Sequence, residues 1–114
     1  VLAARQKALA VHMEPVVEEY IVQLINATRH PALYNERLGE YLDYGASPRG
    51  TIALDRCARA RAWLNDRDYV SPDDVQAVAH DVLRHRLLLT FEAEAEGKDA
   101  DHIIDQLLNL VPVA

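Results

Sequence analysis

Two Ser-Pro pairs, Ser47-Pro48 and Ser71-Pro72, fix where helices can begin in this chain and so constrain everything around them. Serine accepts a hydrogen bond from a free amide of the first turn, and proline suits the first helical position, where no donor is required. The two starts then diverge in charge. Ser71-Pro72 is followed by Asp73 and Asp74, the sign favoured at the positive end of a helix dipole. Ser47-Pro48 is followed by Arg49, the opposite sign, which in an exposed first turn is unfavourable by roughly 0.3–1 kcal/mol. An arginine held against the dipole points to an anion that the guanidinium and the helix end both attract.

Helical periodicity fills in the remaining elements. Val17, Tyr20, Ile21, Leu24, Ile25 and Thr28 recur at helical spacing behind Pro15, which predicts an amphipathic helix over 15–29. The Ser47-capped helix runs to about Leu64, with Ala53, Cys57, Ala60 and Leu64 expected on one packing face beside Trp63. Asn65-Asp66-Arg67-Asp68 reads as a turn, and the Ser71-capped helix carries Val75, Val78, Ala79 and Val82. A final helix begins near Asp99, with Ile103, Ile104, Leu107, Leu108 and Val111 on one face before Pro112. Leu87-Leu88-Leu89-Thr90-Phe91 is open between strand and helix, and Gly97 is a stop beyond it. Around Pro31, Gly39 and Gly45 the pattern dissolves. That predicts a long irregular connection over residues 30–46, tacked onto the bundle by Tyr34, Leu38, Tyr41, Leu42 and Tyr44. The expected fold is all-α, a small helical bundle.

At 114 residues and half apolar, the chain can bury a single core. Its net charge of −6 argues against a nucleic-acid binder. A helix-turn-helix reading fails on the same ground, because its recognition helix would open with Asp73-Asp74 and repel phosphates. Ten of the twelve basic residues are arginines, and Arg56, Arg59 and Arg61 concentrate positive charge downstream of Arg49. The lone Cys57 excludes an internal disulfide and is compatible with a reducing cytoplasm. No apolar run approaches the roughly 18 residues of a membrane span, and no signal peptide is apparent, so no membrane association is expected. Residues 2–11, rich in Ala and Leu, read as a short connector helix. A chain that starts this way, without methionine, is expected to be a fragment of something longer.

Other chemistry is sparse. Gly45 and Gly50, followed by Thr51, have the glycine spacing of a phosphate loop, but the chain's lysines are Lys7 and Lys98 alone. Pro48 also removes an amide from the would-be cradle, so no autonomous nucleotide site is expected. His12, His30, His80, His85 and His102 lack the spacing of a zinc helix, and one cysteine cannot build a structural zinc site. Ser47 and Ser71 are caps rather than nucleophiles. Glu92, Glu94 and Glu96 form a solvated charge run. Arg84-His85-Arg86 reads as a snorkelling helix end, with contact to an acidic surface or a phosphate as the sharper alternative.

Three ordered motifs carry a family resemblance. Gly45-Ala46-Ser47-Pro48-Arg49-Gly50, then Arg67-Asp68-Tyr69-Val70-Ser71-Pro72-Asp73-Asp74-Val75, then Val82-Leu83-Arg84-His85-Arg86-Leu87 resemble the C-terminal lid of MoxR-type AAA+ ATPases. Residues 92–97 and Val111-Pro112-Val113 fit as well, so the likeness runs from about residue 10 to the end. It implies a connector helix over 1–11 leading from an ATPase core, and a helical lid over 12–114. It further implies that Arg49 is the sensor-2 arginine, reaching the γ-phosphate of ATP held with Mg²⁺ by the core, with Ser47 and Pro48 forming the helix start beneath it. The implied machine is a chaperone-like, hexameric, cytoplasmic remodelling ATPase. Its partners would be its own core, neighbouring subunits and a von Willebrand factor A-domain protein. The phosphate loop, magnesium motif and arginine finger would lie in that core, so this chain alone holds no catalytic residue and is not expected to hydrolyse ATP. The connection over 29–44 is longer than in many family members. The competing reading is a free-standing helical interaction module in which Arg49 is an ordinary surface residue.

Overall fold

The computed structural model describes residues 6, 7 and 10–112. The expected connector helix over 2–11 lies largely outside the described residues. Six helices and one two-stranded ribbon follow: α1 (Pro15–Arg29), α2 (Glu36–Tyr41), β1 (Leu42–Tyr44), α3 (Pro48–Leu64), α4 (Pro72–Leu83), β2 (Leu88–Leu89), α5 (Phe91–Ala95) and α6 (Ala100–Leu110). The all-α bundle predicted from periodicity is the observed architecture.

Helix α1 is the central post. Val17, Tyr20, Ile21, Leu24, Ile25 and Thr28, the residues singled out by spacing, are all buried along it. Helices α3 and α4 pack together as a hairpin on one side. The turn between them is tightened by Asp66 in the left-handed region, at φ 60°. The segment before α1 is clipped to that turn, where the His12 amide donates to Asp68 and the Val70 amide to the His12 carbonyl. Helix α6 closes the core with Ile103, Ile104 and Leu107, and Asp99 caps it through the His102 amide.

Two expectations need correction. The buried face of α3 is Gly50, Leu54, Ala58 and Ala62, one residue away from the face expected, and Cys57 and Leu64 lie exposed. This helix is built of alanines and charges, so several faces look equally apolar. Packing against α4, whose own buried residues include Val75, Ala79 and Leu83, decides among them. Residues 30–46 are also more regular than a loop. Pro31–Leu33 form a 3-10 turn, Asn35 caps α2 by accepting from the Arg37 amide, and β1 pairs antiparallel with β2. Of the residues expected to tack this stretch down, Leu38, Tyr41 and Leu42 are buried, whereas Tyr44 is 68% exposed. The ambiguous run 87–91 splits between the two possibilities. Leu88 and Leu89 are strand, and Thr90 begins α5 by accepting from the Ala93 amide.

Candidate arginine site at the start of helix α3

The start of α3 is held in place from α1. The Thr28 hydroxyl donates to the Ile25 carbonyl at 2.6 Å and accepts the Ala46 amide at 3.0 Å, both inside the core. Gly45 makes that approach possible. A Cβ there would stand 2.1 Å from the Thr28 carbonyl oxygen, a contact no side chain survives. From this anchor Ser47 turns outward, and its hydroxyl accepts the Arg49 amide at 3.3 Å. The Gly50 amide donates to the Ser47 carbonyl at 2.8 Å, and Pro48 has no amide to offer. The first amides of α3 are therefore largely satisfied internally. An anion meeting this helix end would be gripped by side chains, with the dipole as background.

Arg49 itself is exposed, with no acid within ion-pair distance among the described residues. It lines an open trough of about 490 Å³ together with Ile52, Ala53, Arg56, Cys57 and Arg86. The trough has an apolar floor, three guanidinium groups and no carboxylate in its lining. Arg56 and Arg86 are likewise exposed, and neither belongs to an ion pair among the described residues.

The other arginines behave differently. Arg61 and Arg67 both reach Asp74, which is fully buried, Arg61 at 2.6 Å. Asp74 also accepts the Ser71 amide at 2.9 Å and the Ser71 hydroxyl at 3.2 Å, closing a capping box at the start of α4. Burial pushes the Asp74 carboxyl up, but the Ser71 amide and the two guanidinium groups outweigh it and hold it below the usual carboxylate range. Arg59 turns inward to Asp55 at 2.7 Å and to the Val11 carbonyl. Arg84 grips Asp101 with two bonds, at 2.8 and 3.1 Å. Those bonds hold Asp101 below its ordinary value. The downstream arginines thus disperse: Arg59 and Arg61 are structural, and only Arg56 joins Arg49.

Asp74 is more than the helix-start acid that the sequence suggests. A usable signal is present, since the box Ser71-x-x-Asp74 begins four residues after Arg67, yet a single sequence gives no hint that Arg61 converges on it. Arg86 was likewise hidden inside a basic triplet whose members part company. Among the described residues no group of three or more His, Cys, Asp or Glu gathers to hold a metal. None of the described helices is long and apolar enough to cross a membrane.

A family model for the AAA lid domain matches residues 34–107. The chain is 40% identical over 104 residues to the uncharacterised protein YeaC of Bacillus subtilis, covering 90% of this chain and 30% of that one. It is 40% identical over 98 residues to the chaperone MoxR1 of Mycobacterium tuberculosis, covering 82% and 25% respectively. The crystal structure of a Cytophaga hutchinsonii protein assigned to the ATPases superimposes with a TM-score of 0.91 at 44% identity, over 94% of this chain and 33% of that one. The chain thus spans a quarter to a third of the length of these relatives.

Proposed function

We propose a function from one premise: this chain belongs to the AAA lid domain family and is the lid segment of a MoxR-type AAA+ ATPase. In that lid Arg49 is the sensor-2 arginine, reaching the γ-phosphate of ATP bound by a core outside this chain. The observation that carries the reading is an exposed guanidinium at the positive end of a helix, with no acid in reach among the described residues. Terminal phosphate oxygens match the planar fork of a guanidinium, and such charge-assisted pairs are the strong ones. Ser47 and Pro48 supply the helix start that aims Arg49, and Thr28 fixes that start to the core of the bundle.

Arg49 would hold the lid against the core while the terminal phosphate is present and release it afterwards, biasing a hinge between two positions. Mg²⁺ would be held by core residues, and this chain alone would neither hydrolyse ATP nor bind it tightly. Residues 1–11 would connect that core to a lid over 12–114. The parent ATPase would be a hexameric, cytoplasmic, chaperone-like remodelling machine, its partners its own core, neighbouring subunits and a von Willebrand factor A-domain protein. Likeness to the chaperone MoxR1 of Mycobacterium tuberculosis supports the chaperone part.

The test is Arg49→Ala in the full-length ATPase. Losing one such phosphate contact costs about 2–4 kcal/mol, so steady-state turnover should fall by roughly 30- to 1,000-fold while the fold persists. Turnover and nucleotide affinity at the parent's level would reject the role and leave the free-standing interaction module as the better account.

A further inference from the structure

Arg84 and Arg86 leave the same turn with opposite fates. Arg84 is spent on Asp101, whereas Arg86 is exposed and lines the trough with Arg49. The Arg86 Cδ lies 3.8 Å from the point a Cβ on Gly50 would occupy. Gly50 directly follows Arg49 in the first turn of α3, so the turn after α4 delivers a second guanidinium to the same helix end. The two cations repel each other and the helix dipole opposes both; the trough lining holds no carboxylate, and Asp81 in the adjoining groove pairs with Arg84 rather than Arg86. A bound polyanion would remove all three penalties together.

We propose that Arg86 is a second ligand of the nucleotide's phosphate chain, so that Arg49 and Arg86 close on ATP as a clamp with arms from two different elements. This rests on the reading of Arg49 above. Arg56 provides the contrast. It lines the same trough but stands seven residues along α3 from Arg49, about 10 Å at helical rise and two turns away from the helix end that Arg86 approaches. A diffuse positive potential would make all three arginines matter alike, whereas a clamp singles out two.

The experiment is calorimetric binding of a non-hydrolysable ATP analogue to the full-length ATPase, comparing Arg49→Ala, Arg86→Met, Arg86→Lys and Arg56→Ala, with melting temperatures alongside. Methionine keeps the apolar stem that crosses Gly50 and removes the charge. Arg86→Met should weaken binding by at least about tenfold with its melting temperature unchanged. Arg86→Lys should recover only part of that loss, since a single ammonium cannot reproduce the fork. Arg56→Ala should stay within about twofold, as expected of an exposed charge outside the contact. If Arg86→Met binds like Arg56→Ala while Arg49→Ala binds weakly, the clamp is wrong and the Arg49 reading stands. Full affinity in Arg49→Ala would remove the premise and the clamp with it. An Arg86→Met protein that melts early and loses affinity in proportion would mark a packing role and also overturn the clamp.

Discussion

The two ends of the α3–α4 hairpin use arginine in opposite ways. At the turn end, Arg61 and Arg67 converge on Asp74, which is fully buried and further satisfied by Ser71. At the other end, Arg49, Arg56 and Arg86 share a trough without an acid. The first arrangement is self-sufficient, with its charges neutralised inside the chain. The second is incomplete: among the described residues its arginines form no ion pair. Arginine content alone therefore says little about function. What separates a structural arginine from a candidate ligand is first whether the fold provides its counter-ion and then, as Arg49 and Arg56 illustrate, whether it stands at the helix end.

The largest effect should come from breaking the self-sufficient end. Asp74→Ala leaves two guanidinium groups without their partner and removes the capping box. Breaking a buried pair typically costs about 3–5 kcal/mol. Arg61 and Arg67 remain 39% and 26% exposed, so the loss on urea unfolding should sit near the lower figure, about 3 kcal/mol. A loss under about 1 kcal/mol would mean that water replaces the carboxylate and that the node is not structural.

Thr28→Val should come next. It strands the Ala46 amide in the core, an omission worth about 1–3 kcal/mol, and it loosens the anchor of the α3 start. The expected signature is lower stability together with weaker nucleotide response in the full-length protein. Lower stability with an intact response would show that Arg49 is aimed without the Thr28 anchor.

Acid should act mainly through the two paired carboxyls, Asp74 at the turn end and Asp101 on Arg84. The folded-state values of Asp74 and Asp101 lie below their unfolded values. Their contribution is therefore fully present above about pH 4 and is lost as pH falls through the depressed folded values. In Asp74→Asn the acid limb of the stability curve should be shallower by up to one proton. An unchanged slope would mean that Asp74 is not linked to folding.

The smallest effect should have the opposite sign. Arg49→Gln in this chain removes a charge that opposes the dipole and should raise stability by about 0.3–1 kcal/mol. A clear loss instead would place Arg49 in an internal contact and erase the contrast between the two ends.

Much of this was readable from sequence, for physical reasons. The α1 stripe from Val17 to Thr28 is strongly amphipathic, so its buried face is unambiguous. The Ser-Pro starts at 47 and 71 are local signals, and both begin helices where expected. The face of α3 is ambiguous in sequence because small residues line it all round. The strand at Leu88–Leu89 depends on a partner more than forty residues earlier, which no local pattern encodes. At the candidate site, Arg49 was legible because it violates a local rule. Arg86 was not, because its significance depends on where the turn after α4 lies relative to Gly50.

The most direct measurement is the affinity of the full-length protein for a non-hydrolysable ATP analogue relative to ADP, with and without the Arg49 guanidinium. If that side chain meets the terminal phosphate, Arg49→Ala should weaken the triphosphate by about tenfold or more and leave ADP nearly untouched. Equal weakening of both nucleotides, or of neither, would contradict the account.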